Sequence, residues 1–358
     1  MPFVSGSGTL TDPYQIYNVS DLFETTASGD YYHYILMSDL DLSAYSPWKT
    51  LTNNESATWV GSLDGNNKVI SNLTLTPASI VNSGLYSFYD YAGLFGDLSL
   101  VSTESAYIKN LYIDNITIQF ESHSANSLPT FIGALCARNS MRDIFNVHIT
   151  NLSASFVLED GNTISYVVNA LGDTYQSNVY SCSISASYFE VYGLVDVIDT
   201  FGIGMLGKVH ATDSYSQCYV KDCTAKSNVL NTNASPYQDI FISPFTILHG
   251  YAKDMYVLNC LITSSNYVVG LAEALYGNNV INVYTSINPG NTPSANIYPF
   301  IYMSYGGSSV SSCYYESGSY SFNNIVVTPG VTGSTAAQMM LSESYQGWDF
   351  NSIWRIDN

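Results

Sequence analysis

The stretch Ile108-Lys109-Asn110-Leu111-Tyr112-Ile113-Asp114 decides the fold of this chain. An aliphatic residue, any residue, an Asn and a second apolar residue lead into strict alternation, the pattern of a strand with one buried face. The four-residue signature recurs. It reads Met37-Ser38-Asp39-Leu40, Ile70-Ser71-Asn72-Leu73, Ile144-Phe145-Asn146-Val147, Val179-Tyr180-Ser181-Cys182, Tyr215-Ser216-Gln217-Cys218, Val257-Leu258-Asn259-Cys260, Val280-Ile281-Asn282-Val283 and Val310-Ser311-Ser312-Cys313. With Ile108–Leu111 this makes nine copies, whose fourth positions step by 33, 38, 36, 35, 36, 42, 23 and 30 residues. Self-similarity at a period of tens of residues is the mark of a solenoid.

Short apolar segments with small residues precede many of the copies: Ala92-Gly93-Leu94-Phe95-Gly96, Phe131-Ile132-Gly133-Ala134-Leu135, Val167-Val168-Asn169-Ala170-Leu171 and Ile203-Gly204-Met205-Leu206-Gly207. Glycine inside a strand marks a bend or a close backbone approach. Two or three short strands per repeat, without helical periodicity between them, predict an all-β fold. The expected architecture is a single-stranded right-handed parallel β-helix of about nine coils with N- and C-terminal caps. Boundaries follow from the repeats: an N-terminal cap segment over 1–30, the β-helix over 31–320 and a C-terminal cap segment over 321–358. Trp348, Phe350 and Trp354 alternate there and are expected to cover the last coil.

In a stack with about 4.8 Å between strands, each repeat position becomes a column. The fourth positions predict one interior column, Leu40, Leu73, Leu111, Val147, Cys182, Cys218, Cys260, Val283 and Cys313. The third positions, from Asp39 and Asn72 to Ser312, predict a ladder of side-chain amides at a turn. One repeat cannot bury its own face, so the array folds as a unit.

Ten Lys and Arg against 29 Asp and Glu give a net charge of −19. That balance excludes sequence-independent nucleic-acid binding, which needs clustered cations, and disfavours docking on anionic lipid. Aromatic and β-branched content excludes intrinsic disorder. No run approaches the roughly 20 apolar residues of a membrane span, so direct membrane insertion is not expected. The start, Met1-Pro2-Phe3-Val4-Ser5-Gly6, has neither a basic region nor an apolar core, and no signal peptide is expected.

An apolar-Gly-Leu-apolar-Gly strand followed by Ile-x-Asn resembles the GLUG-type repeat of bacterial and archaeal surface adhesins. Gly6-Ser7-Gly8-Thr9 with Asp12-Pro13-Tyr14-Gln15-Ile16-Tyr17 is similar to the segment that opens such arrays, and Gly347-Trp348-Asp349-Phe350 with Ile353-Trp354-Arg355-Ile356 to the one that closes them. The resemblance implies a parallel β-helix displayed on a surface for attachment.

Six cysteines, Cys136, Cys182, Cys218, Cys223, Cys260 and Cys313, carry no C-x-x-C pair, and no zinc site is expected. Four of them fall in the interior column, where Cys acts as a small buried hydrophobe. A disulfide between Cys182 and Cys218 is sterically open. The five histidines (His33, His123, His148, His210 and His249) form no catalytic motif. Glycoside hydrolysis needs two carboxylates about 5 to 9 Å apart. Asp39-Leu40-Asp41 is the candidate pair, but Asp39 occupies a ladder position. A uronate lyase needs Lys or Arg to neutralise the substrate carboxylate; the chain has only three Arg (Arg138, Arg142 and Arg355) and a charge of −19 that repels such a polymer, which argues against a lyase. No catalytic residue, cofactor or metal is assigned.

Six N-x-S/T sequons are candidate glycosylation sites: Asn18, Asn54, Asn72, Asn115, Asn151 and Asn233. The chain has 31 Tyr, and clusters at Tyr31–Tyr34, Tyr86–Tyr91 and Tyr298–Tyr302 suggest rigid contact area in loops. Asn231–Tyr237 reads as a protruding loop. The expectation is a non-catalytic extracellular protein of a cell or virion surface that binds a host- or neighbour-cell glycan or protein. Self-association into a larger surface assembly is compatible with this reading. A polysaccharide-degrading β-helix enzyme of glycoside hydrolase type is the alternative.

Overall fold

The computed structural model describes residues 3–349 except 4, 28–29, 54–57, 83–89, 99–105, 122–129, 141, 159–163, 196–197, 210–213, 232–239, 249–250, 264–266, 277–278, 290–295, 306–307, 318–327 and 347. Parallel rungs stack in chain order. Tyr14–Ile16 pairs with His33–Leu36, which pairs with Ser62–Ser71, then Tyr107–Glu121 and Asp143–Leu158. Two coils built of short pieces follow, Asn178–Tyr180, Ser183–Ser185 and Tyr188–Val195, then Ser214–Ser216, Tyr219–Lys221 and Thr224–Asn231. The stack continues through Tyr251–Thr263, Asn279–Asn288, Ser309–Ser311 with Cys313–Glu316, and Val331–Ser334. A second sheet runs alongside through Asp90–Ala92, Thr130–Gly133, Ile164–Asn169, Ile198–Val209, Ile240–Leu248, Ala272–Tyr276 and Ile301–Tyr305, all parallel neighbours. Each coil crosses one sheet and returns through the other, which makes the chain a parallel β-helix. Nine rungs lie between His33 and Glu316 among the described residues, matching the nine repeats. Tyr14–Ile16 and Val331–Ser334 add a rung at either end.

The second sheet explains the small residues of its strands. A Cβ on Gly93 would come within 2.5 Å of the Phe95 carbonyl oxygen, and one on Gly133 would overlap the Cys136 carbonyl. The chain turns there too tightly for a side chain.

The main sheet turns two corners per coil, five residues apart. Asn110, Asn146, Ser181, Gln217, Asp254, Asn282 and Ser312 occupy the first; Asn72, Asn115, Asn151, Ala186, Asp222 and Asn259 the second. Each has a left-handed φ between 50° and 61°. Left-handed backbone costs a typical L-residue about 1–2 kcal/mol, and Asn the least among side-chain-bearing residues. Its amide also reaches the next rung. Asn146 Nδ2 donates to Asn110 Oδ1 at 2.9 Å, and Asn115 Nδ2 donates to Asn72 Oδ1.

This geometry corrects the expected register. Ile70 lies opposite Ile113 and Ser71 opposite Asp114, so Asn72-Leu73 belongs to the second corner and not beneath Asn110-Leu111. Val257 lies opposite Val220, so Asn259-Cys260 also stands at the second corner, over Asp222-Cys223. Leu40 faces Ile70, and Asp41, not Asp39, meets the amide of Asn72. The first interior column therefore reads Leu111, Val147, Cys182, Cys218, Met255, Val283, Cys313; the second reads Leu73, Ile116, Leu152, Ser187, Cys223, Cys260, Ile287. The uneven 42- and 23-residue steps become 37 and 28 once Met255 replaces Cys260.

The core fills the coil from end to end. Ile108, Leu111, Ile113, Ile116 and Ile118 alternate inward from one strand and are all buried. Each such side chain contributes about 1.5–3 kcal/mol relative to exposure. Near the N-terminal end lies the helix Val19–Glu24, a feature the repeat pattern does not announce; the Asn18 side chain caps it by accepting from Asp21 N–H at 3.0 Å. Trp348 donates Nε1–H to the Ser312 carbonyl and packs on Tyr314 and Tyr345. It covers the outer side of the last coils; Phe350 and Trp354 lie outside the described residues.

Candidate binding face

Strand alternation that buries one set of side chains around the first corner sends the other outward. Two outward columns flank that corner. The residue just before it runs Lys109, Phe145, Tyr180, Ser216, Lys253. The residue two after it runs Tyr112, His148, Ser183, Tyr219, Tyr256, Tyr284, Tyr314. Phe145 and Tyr180 stack with centroids 5.0 Å apart and planes 3° from parallel, Tyr219 and Tyr256 with 4.9 Å and 0°. The aromatic spine thus switches flank at the Tyr180 and Tyr219 rungs, with Ser183 and Ser216 on the vacated positions. Tyr112 meets His148 at 5.1 Å, and Lys109 sits 4.5 Å over the ring of Tyr107.

The carboxylates along these columns bind their own fold. Asp41 accepts from Asn72 Nδ2 at 2.7 Å and Ser43 N at 2.9 Å, and the Asn72 contact chiefly holds its carboxyl below the usual range. Asp39 accepts from Val69 N at 2.9 Å. The Asp39–Asp41 candidate pair is therefore engaged in rung-to-rung bonds. Asp114 accepts from Thr150 Oγ1 at 2.6 Å and Asn151 Nδ2 at 2.7 Å; the Thr150 bond leads in lowering its pKa. Asp64, Asp143, Asp222 and Asp254 take Asn110, Asn178, Asn259 and Asn282. His148 is held between Ser183 Oγ (2.8 Å) and Asn146 Oδ1 (3.0 Å), and burial lowers its pKa.

On the neighbouring short strands, Asp97, Arg138 and Asp173 face one another on three successive rungs, acid against base. Arg138 approaches Asp97 at 3.9 Å. Arg142 is fully buried. Its guanidinium donates to the carbonyls of Leu98 (2.7 Å), Trp59 (2.9 Å) and Gly61, and burial lowers its pKa to about 10. Neither arginine of this pair stands free for an anionic substrate; Arg355 lies outside the described residues. Among the described residues no three His, Cys, Asp or Glu side chains gather as a metal set.

All six cysteines are free thiols and buried. Cys182 stacks on Cys218 in the first column, whereas Cys260 stacks on Cys223 in the second, so the expected four-cysteine column divides between two corners. Each follows a left-handed corner and points its Sγ at the carbonyl two residues back, 3.3 Å for Cys182 to Tyr180 and 3.3 Å for Cys218 to Ser216. Ser187 makes the same bond to Ser185 at 2.8 Å. A small side chain with a polar hydrogen suits this position because it fills the core and meets a carbonyl at the corner. Burial raises the Cys182 thiol well above its ordinary pKa and pushes Cys313 up to about 12.

Three sequon asparagines, Asn72, Asn115 and Asn151, are corner residues whose side-chain amides already donate to the rung below. The Asn-apolar-Thr/Ser motif is what a second corner writes: left-handed Asn, inward apolar residue, outward Thr or Ser. Asn115 and Asn151 are exposed, as is the helix cap Asn18; Asn54 and Asn233 lie outside the described residues. The described tyrosines of the local clusters are buried or half-buried. Tyr34 and Tyr91 are buried, as is Phe300, while Tyr86 and Tyr89 lie outside the described residues, as does the Asn231–Tyr237 loop beyond Asn231. In the outward columns Tyr112 and Tyr180 are exposed and Phe145, Tyr219, Tyr256 and Tyr284 half-buried, a signal carried at coil spacing rather than in local clusters.

Comparison with known proteins places limits on identity. No family model matches the chain. Over 101 residues it is 34% identical to halomucin of Haloquadratum walsbyi, an alignment that takes in 27% of this chain and 1% of halomucin, so the chain spans about one per cent of that relative's length. A solved Bacteroides ovatus chain described as a candidate immunoglobulin A1 protease is similar over 94% of this chain and 88% of its own, with 15% identity and a TM-score of 0.45. Among the described residues no helix is long and apolar enough to cross a membrane.

Proposed function

We propose that this chain is a non-catalytic β-helix of an extracellular surface, mediating attachment by binding a glycan or protein on its outer columns. The observation that carries the reading is the engagement of the outward carboxylates. Asp41, Asp64, Asp114, Asp143, Asp222 and Asp254 each accept a side-chain amide from a neighbouring rung, a structural duty that holds these six carboxylates to the fold rather than to a substrate. Stacked aromatics on the outer columns, with Tyr112 and Tyr180 exposed, and outward hydroxyls supply contact area instead. The stretch shared with halomucin and the GLUG-type resemblance support surface display, on a cell envelope or a virion.

The test is retention of the purified chain on immobilised glycans and whole cells, with soluble products followed in the same samples. Saturable retention without product is expected. Steady release of product from a polysaccharide or polypeptide, abolished by one carboxylate-to-amide change such as Asp97→Asn or Asp173→Asn, overturns the reading in favour of an enzyme.

A further inference from the structure

The rung Ser214–Ser216 differs from its neighbours on the same face. Its two outward side chains are both serines. On one side, Tyr180 lies opposite Ser216 and is 41% exposed, with Phe145 stacked on it from the rung below. On the other side, Tyr251 lies opposite Ser214 and is 56% exposed, its hydroxyl tied to Asn279 Nδ2 at 3.2 Å. Across the serines from Tyr180 stands Lys253, and across from Tyr251 stands Asn178. The result is a trough with two serines as its floor and, on each wall, one aromatic ring facing one polar side chain.

We propose that this trough binds a neutral saccharide, one pyranose ring against Tyr180 and the next against Tyr251. The inference rests on the attachment reading and names its ligand class and site. Rungs two steps apart stand about 9.6 Å from one another. A sugar ring packed on tyrosine at about 3.5–4.0 Å leaves its far hydroxyls within reach of the polar group on the facing wall. One layer of sugar fits and two do not. The apolar face of a pyranose covers a ring, while its hydroxyls meet Ser216 and Lys253 and donate to Ser214, whose own hydroxyl donates to Asn178 Oδ1 at 2.9 Å. An aromatic side chain in the same place would strip water from the serine floor without replacing its hydrogen bonds. Charge selects further: Lys253 is matched by Asp254 at 3.7 Å and Lys221 by Asp222 at 3.9 Å, so the trough has no surplus cation for an acidic polymer.

The experiment is calorimetric titration of the full chain with cellohexaose, mannohexaose and chitohexaose, with oligogalacturonate and an aromatic-rich peptide as opposing probes. Binding of at least one neutral hexasaccharide is expected, weakened about tenfold or more by Tyr180→Ala or Tyr251→Ala. Ser216→Tyr fills the trough and extends the Phe145–Tyr180 stack, so it should abolish binding without lowering the unfolding midpoint. Absence of binding by all three neutral sugars, equal binding by Ser216→Tyr, or preference for oligogalacturonate or the peptide overturns the proposal. Equal surface retention of wild type and Ser216→Tyr sinks the trough alone and leaves the attachment reading standing. Failure of the wild type to be retained on any surface sinks that reading as well.

Discussion

The coils Tyr107–Glu121 and Asp143–Leu158 differ from the two that follow them in how they turn the same corners. In the first pair every corner is Asn, and single strands of 15 and 16 residues run through both turns. In the second pair the corners are Ser181, Ala186, Gln217 and Asp222, and each coil is divided into three short strands. Beneath the corners, Leu111, Val147, Ile116 and Leu152 give way to Cys182, Cys218, Cys223 and Ser187. The same backbone path is thus held by two chemistries. One is amide bonding between rungs outside a large aliphatic residue; the other is a thiol or hydroxyl bonded to a carbonyl inside. The second leaves the outer surface freer to vary, and that is where the aromatic spine changes flank.

If amide corners are the stronger device, their removal should dominate. Asn146→Val places a β-branched residue at φ 54° and deletes the bond to Asn110, an expected loss of about 2–4 kcal/mol. Gln217→Asn, at φ 55°, should instead gain about 0.5–1 kcal/mol. Urea unfolding of both variants checks the sign and size. Equal losses from Asn146→Val and Ser181→Val would break the distinction between the two kinds of coil.

The thiol corners make a smaller, chemically specific prediction. Cys218→Ser keeps a hydrogen for the Ser216 carbonyl, as Ser187 does naturally, and should cost about 1 kcal/mol; Cys218→Val keeps the apolar bulk but leaves the carbonyl unmet, at about 1–3 kcal/mol. Unfolding midpoints that rank Val above Ser would show that packing alone governs the column. With all six thiols buried, reaction with a thiol reagent should be slow in the native protein and fast in denaturant. Rapid native labelling of two or more would sharpen the contrast differently, by showing that these coils open.

The fold was legible because a one-residue left-handed corner forces a local code, an aliphatic or aromatic residue, any residue, Asn or another small or polar residue, then a second apolar residue, that recurs along the array. Its register was less so, since both corners write the same code. Ile113-Asp114-Asn115-Ile116 and Ile149-Thr150-Asn151-Leu152 match it as well as Ile108–Leu111 does, and only the uneven steps around Leu73 and Cys260 betray the mixture. The outward columns inherit that ambiguity. Tyr219, Tyr256 and Tyr284 recur at coil spacing, whereas the densest local tyrosine runs supply buried rings such as Tyr34 and Tyr91. The trough was illegible for a further reason: it is defined by two serines, and a missing side chain acquires meaning only when its neighbours on adjacent rungs are known.

The smallest expected effect concerns pH and falls on the amide-cornered pair. His148 is kept neutral by burial, so its folded pKa lies below the ordinary 6.5. Asp114 is kept ionised first by Thr150, so its folded pKa lies below 3.8. In both cases the unfolded chain binds the proton more readily, and stability is lost as pH falls. The His148 contribution is fully present above its unfolded pKa and declines as pH drops below about 6.5 towards its folded value. The Asp114 contribution declines only below about 4. Amide hydrogen exchange at Ile149, which lies between these two side chains, should therefore accelerate relative to Ile184 in two stages on acidification. His148→Gln should remove the upper stage and Asp114→Asn the lower. Parallel acceleration at both amides, unaffected by either variant, would place the acid response outside these corners and leave the two pairs of coils distinguished by their covalent chemistry alone.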